Sequence, residues 1–404
     1  MDAFDDIRPY RDDEVPAVLS RLVEDPNALR GIAGFAAPWC YRLAPGLTLA
    51  ATKMGLTRQV RELDSVDSLQ LALTAYFEKL IRRTTSGFTW DGVDALDPSQ
   101  PHLFVSNHRD IALDSGFMNF ALWQSGRKTT QIGVGDNLFT NGTAMDLMRL
   151  NKSFSIARAE TGAKAQFAAL MKTSCYIRSA LEAEESVWIA QREGRAKDGV
   201  DQSNPALFKM FLLAYREEFR SFDEWLRRVA LVPVSISYEL DPCAGTKAKE
   251  LYFMDRDGKY DKNEGEDIRS MAKGIFGFKG RVHVSFGARV EGEFEQAEDL
   301  ADHIDRMIVG GLKTYPTQVL ALDGCAELDP RVRKAFYKTL DGCPREHRKF
   351  VLMQYANQLR HKRDLARKPD LARKSPTRAD RAELPELDEV RTSEMQDSAS
   401  LLDS

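Results

Sequence analysis

Apolar positions along the chain change their spacing three times. Over residues 1–95 they recur at intervals of three and four, clearly so at 15–23 and 66–81, and this predicts helices. From Pro101 the pattern turns to short apolar or alternating runs, most of them followed by a longer stretch with helical spacing. The runs 102–106, 130–134, 153–157, 186–190, 229–237, 251–254 and 281–286 predict strands. Helices are expected between them, over 162–185 and 205–228. Alternation of this kind predicts an α/β domain with a mixed, largely parallel sheet flanked by helices. Helical spacing returns over 295–367. Beyond Lys368 charged residues, Ser and Pro predominate, a composition that cannot bury a core, and disorder is expected. The expected organisation is a helical N-terminal region (1–95), an α/β domain (96–294), a helical C-terminal extension (295–367) and a disordered tail (368–404).

No uninterrupted run of 18 apolar residues occurs, so no clear membrane-spanning helix is predicted. The nearest segment, 31–55, carries Ile32, Phe35, Trp39, Tyr41, Leu43, Leu47, Leu49 and Met54. Around them stand Arg30, Arg42, Lys53 and Arg58. Rings beside cations suit a membrane interface, and Pro38 and Pro45 predict short helices lying in it. The alternative is a buried helical hairpin packed on the α/β domain.

Charge narrows the partners. The 404 residues carry a formal net charge of −4, which does not suit a general nucleic-acid binder. The acidic start, Met1 to Asp6, lacks the pattern of a secretory signal. Five widely spaced cysteines without a C-x-x-C pair suit a reducing cytoplasm. Residues 255–266 look faintly like a calcium loop. Gly258 falls at position 4 rather than 6, however, and the segment is read as a solvated loop.

The candidate chemistry begins in the run 104–114, Phe-Val-Ser-Asn-His-Arg-Asp-Ile-Ala-Leu-Asp. It places His108 at the carboxyl end of a predicted strand, where α/β sheets build active sites. An imidazole titrates at about 6.5, which suits it to take a proton from a hydroxyl. A carboxylate on its other ring nitrogen would fix the tautomer, and Asp110 and Asp114 are both near enough in sequence. The plainer reading is a helix-capping histidine with Asp110 as a helix-start residue. Three further segments follow: Lys152 to Arg158, a short strand with a cation at each end; Arg192-Glu193-Gly194-Arg195, a charged turn after a strand; and Val232-Pro233-Val234. The plainer readings are solvated cations for Lys152 and Arg158 and a turn ion pair for Glu193 and Arg195.

Taken in order, these four segments resemble the blocks of the glycerolipid acyltransferase family, which includes glycerol-3-phosphate and lysophosphatidate acyltransferases. Those blocks are N-H-x-x-x-x-D, a strand ending in Arg, F-P-E-G-x-R, and V-P-V/I. The likeness covers about residues 100–290. Four departures stand out: one extra residue between His108 and Asp114, Lys152 in place of Gly in the second block, Arg192 in place of Pro, and Arg195 one position early. An extra residue turns a helical side chain by about 100°, so either the turn accommodates it or Asp110 takes the role. The resemblance implies direct acyl transfer from acyl-CoA or acyl carrier protein as cosubstrate, with no cofactor and no metal. His108 would deprotonate the acceptor hydroxyl and Asp114 or Asp110 would orient it. Arg158, with Lys152 and either Arg195 or Lys197, would hold an acceptor phosphate. Glu193 and Gly194 would shape the turn. The implied partner is membrane lipid, with the protein peripheral on the cytoplasmic face. Two alternatives remain at this level: another lysolipid or aminolipid as acceptor, or a homologue that binds lipid or acyl carrier without catalysing transfer.

Overall fold

The computed structural model describes residues 3–138, 142–157, 162–263 and 265–367. Among them seven strands form: β1 Gly87–Asp91, β2 His102–Ser106, β3 Gln131–Gly135, β4 Ser153–Ile156, β5 Val187–Ala190, β6 Ala230–Tyr238 and β7 Arg281–Phe286. Pairing is mixed and mostly parallel. β1 with β7, β2 with β6 and β3 with β4 run parallel, and β6 with β7 antiparallel. The chain divides into two compact units. Among the described residues, one comprises those within Met1–Glu78 and Thr130–Val187, the other those of Lys79–Thr129 and from Trp188 to Arg367.

The larger unit orders its strands β1-β7-β6-β2-β5. Every residue of β2 and β6 is buried, which is why 103–105 and 230–234 read as continuous apolar runs rather than alternating ones. Pro233 sits within β6, where a missing N–H should be costly. The antiparallel ladder to β7 begins one residue later, at Val234↔Phe286, so the proline lies just outside it. The helix Ala297–Gly311 packs on β6, with Ser235 Oγ donating to the Ile308 carbonyl at 2.6 Å. The C-terminal helices Pro316–Asp323, Pro330–Asp341 and Arg345–Arg367 close with Ala244–Asp257 around Leu320, Phe336, Phe350 and Val351.

Three sequence expectations are corrected here. Residues 251–254 are not a strand but part of the helix Ala244–Asp257. Leu251 and Tyr252 pack on the C-terminal cluster while Met254 is exposed, the signature of a helical face that a four-residue apolar run conceals. Conversely, Gly87–Asp91 is an edge strand inside a stretch read as helical. The expected helix over 205–228 is two helices, Pro205–Leu213 and Phe222–Arg228. Asn204 and Ser221 accept hydrogen bonds from the Ala206 and Glu224 amides and start them separately. The tail, 368–404, lies outside the described residues.

In the smaller unit β3 and β4 pair, and Val15, Val18, Leu19, Leu22, Val66, Leu69 and Leu150 form a core. Arg21 and Tyr10 both hold the buried Asp146 carboxylate. Three short helices follow one another, Pro26–Ala36, Pro38–Leu43 and Pro45–Val60, each opening on a proline whose missing N–H needs no partner at that position. Their outer side chains are strongly exposed: Trp39 73 %, Leu43 84 %, Leu47 76 % and Met54 74 %. Within their own unit these four side chains are not buried. No described helix is long and apolar enough to cross a membrane.

Candidate active site

The site is built at the end of β2 in the larger unit. Where the strand stops, the Asn107 side chain continues its pairing. Its amide donates to the Ile236 carbonyl at 2.9 Å and its oxygen accepts from the Ile236 N–H at 2.8 Å. Asn107 is fully buried, so this pair pins the chain to β6 as it leaves the sheet. His108 comes next. Its carbonyl accepts from the Ala196 amide at 2.7 Å, which brings the 193–195 turn alongside. The Trp188 ring stands edge-on to the imidazole at 6.4 Å, held by its own N–H to Ser106 Oγ.

Asp110 then turns the chain. One of its oxygens accepts from the amides of Ala112 and Leu113, launching the helix Leu113–Gln124. Burial, with the neighbouring Asp114 charge, raises the Asp110 carboxyl above its ordinary value. The helix Glu266–Phe276 packs closely here: a Cβ on Gly274 would lie 1.9 Å from the other Asp110 oxygen.

Because that turn precedes the helix, Asp114 falls in the first helical turn and faces back toward His108. The five-residue gap is therefore absorbed. Asp114 Oδ2 lies 2.9 Å from His108 Nδ1 and accepts from the amides of Arg109 at 2.7 Å and Asp110 at 2.9 Å. Its Oδ1 accepts from the Tyr238 hydroxyl at 2.8 Å. An acceptor at Nδ1 places the ring proton there and leaves Nε2 with its lone pair, on a side chain that is 12 % exposed. Of the two carboxylates, Asp114 meets the imidazole and Asp110 meets backbone.

The remaining sequence candidates fall into separate settings. Gly194 takes φ 73°, the left-handed region that a glycine adopts without strain. Glu193 is exposed and lines a cleft of about 370 Å³ with Arg192, Gln202, Ser203, Asn204 and Pro205. Arg195 is half-buried. Its Nη2 donates to Ser270 Oγ at 3.3 Å, and its Nη1 is buried without a hydrogen-bond partner. Lys197 is ion-paired to Glu250. Lys152, in the smaller unit, is ion-paired to Glu185 at 2.6 Å and adopts φ 57°. Arg158 lies outside the described residues.

Sequence reading missed the supports of this site. Tyr238 stands 124 residues from Asp114. Arg109 is buried and ion-paired to Asp201, while its carbonyl accepts from Lys247, which also binds Asp241 at 2.6 Å. Burial works against the Asp241 charge, but Lys247 together with the Cys243 amide and Arg195 outweighs it and holds that carboxyl below its usual range. No spacing in the sequence links these residues. Only the end of the β6 run, immediately before Tyr238, hints that a residue there reaches the site.

Residues 87–237 match the family model described as Acyltransferase. Among solved structures, the chain is similar to the 1-acyl-sn-glycerophosphate (LPA) acyltransferase PlsC from Thermotoga maritima. The match has 12 % identity and a TM-score of 0.35, and covers 73 % of this chain and 91 % of that one. No curated protein matches.

Proposed function

We propose that this chain, whose residues 87–237 match the Acyltransferase family model, moves a fatty acyl group from a thioester onto the hydroxyl of a glycerol-3-phosphate or lysophosphatidate-type acceptor. The donor is acyl-CoA or acyl carrier protein. The observation that carries the reading is the His108–Asp114 pair, which leaves Nε2 free as a general base beside the 193–195 turn. His108 takes the acceptor proton, the oxygen attacks the thioester carbonyl, and the thiolate leaves with a proton returned by the imidazolium. Asp114 holds the ring and stabilises that imidazolium.

Of Arg195 and Lys197, the cation kept here for the acceptor phosphate is Arg195. Its Nη1 has no hydrogen-bond partner, whereas Lys197 is occupied by Glu250. Arg158 is kept as a phosphate-holding residue from the sequence pattern. Incubating purified protein with acyl-CoA or acylated carrier protein and a panel of acceptors tests the reading. The expected result is acylation of glycerol-3-phosphate or lysophosphatidate ahead of acceptors without a phosphate. Preference for a phosphate-free acceptor would overturn it.

The proposed place of work is a membrane surface, on its cytoplasmic face. Trp39, Leu43, Leu47 and Met54 project from Pro-initiated helices with Arg42 and Arg58 among them, the combination an interfacial segment uses. The protein is expected to float with anionic vesicles, less so at high salt. Replacing Trp39, Leu43 and Leu47 by Ser should weaken flotation and leave the melting temperature nearly unchanged, because exposed side chains contribute little to the fold. Unchanged flotation would move the membrane contact elsewhere.

A further inference from the structure

Asp114 accepts four hydrogen bonds, and three of them converge on Oδ2 from its own loop: the imidazole and the Arg109 and Asp110 amides. The fourth comes from a distant strand. Tyr238 is the last residue of β6, buried, and paired with Val282 of β7. Its ring packs edge-on against Phe117, at 5.9 Å, on the same helix that carries Asp114. The hydroxyl is thereby aimed at Oδ1 at 2.8 Å. Burial, then the charges of Asp114 and Asp110, hold the phenol well above its ordinary value. It remains a donor throughout the working range.

We propose that Tyr238 is a positioning residue for the transfer reaction: its hydroxyl fixes the plane of the Asp114 carboxylate against His108 and draws part of that charge away from the imidazole. The inference rests on the reading of His108 as the general base. Oδ1 is the oxygen that no donor of the 107–113 loop is seen to reach. Without the hydroxyl it is a buried acceptor without that bond, in a site where Asp110 already adds a second carboxyl. The carboxylate then has one fixed oxygen instead of two, and its undiluted charge favours the imidazolium. A base that is protonated up to a higher pH is a poorer base at neutrality.

The test is Tyr238→Phe, which keeps the ring and removes one oxygen. The packing control is Phe117→Leu, which disturbs the ring contact but keeps the hydroxyl. The kcat and kcat/KM for a phosphate-bearing acceptor are followed against pH, with the melting temperature of each variant. Tyr238→Phe is expected to lower kcat about ten-fold, the scale of one hydrogen bond to a charged group. KM should change little, and the acid limb of kcat/KM should move to higher pH. Phe117→Leu should lower the melting temperature and leave the acid limb in place. A Tyr238→Phe profile superimposed on the parent's, with kcat within about two-fold, well short of that hydrogen-bond scale, overturns the inference. So does a Phe117→Leu acid limb displaced as far as that of Tyr238→Phe, because packing would then account for the shift. His108→Ala, assayed alongside, separates the two readings. If it is inactive, a null result at Tyr238 overturns this inference alone. If it is active, the assignment of the base falls as well.

Discussion

His108→Ala is expected to abolish measurable transfer while the protein stays folded. Loss of a general base typically costs about 10²–10⁴-fold. The fold should survive because the loop is held by other atoms. Asn107 pairs with Ile236 through its side chain, the His108 carbonyl bonds Ala196 through backbone, and Arg109 is anchored to Asp201. None of these contacts uses the imidazole. What disappears is the lone pair at Nε2 that, on the proposed mechanism, accepts the acceptor proton. The measurement is turnover with a saturating acyl donor, paired with a thermal melt. Near-parent turnover in the folded variant would remove His108 from the chemistry.

Asp114→Asn should be the second most damaging substitution, by up to about 10⁴-fold in kcat if the ring tautomer is lost. The carboxylate meets only donors: the His108 ring, two amides and the Tyr238 hydroxyl. An asparagine presents an NH₂ in place of one oxygen. Turned toward the loop, that NH₂ faces Nδ1–H and forces the proton to Nε2, where the base is needed. Turned the other way, it donates to the Tyr238 hydroxyl, which must rotate to accept, and the tautomer is kept but the carboxylate charge is lost. The first orientation leaves buried donors opposed, so some loss of melting temperature is expected as well. Asp110→Asn is the comparison. The Asp110 oxygen accepts from the Ala112 and Leu113 amides, and the asparagine oxygen can do the same. A larger loss of turnover at position 110 than at 114 would reverse the assignment of the orienting carboxylate.

Much of the architecture was determined by local pattern. The limits of β2 and β7 coincide with the apolar runs, and β6 is displaced by one residue, because strands buried on their faces leave a continuous apolar trace. Gly87–Asp91 escaped because an edge strand of alternating exposure is too short to stand out beside a long helix. Residues 251–254 misled in the opposite sense: four apolar residues in a row fit either period, and helix packing decided. The chemistry shows the same division. The chain order of His108, the 152–158 segment, Glu193-Gly194-Arg195 and Val232-Pro233-Val234 carried the resemblance to the family. Whether Asp110 or Asp114 faces the imidazole was open in sequence, since an extra residue rotates a helical side chain away from its target. The turn at Asp110 decides it by delaying the helix until Leu113. Tyr238, Arg109–Asp201 and Lys247 were beyond sequence reading for a more general reason. Tyr238 meets Asp114, Arg109 meets Asp201 and Lys247 meets the Arg109 carbonyl across long stretches of chain, and a single sequence records the spacing of neighbours along the backbone but not the pairing of strands that brings such residues together.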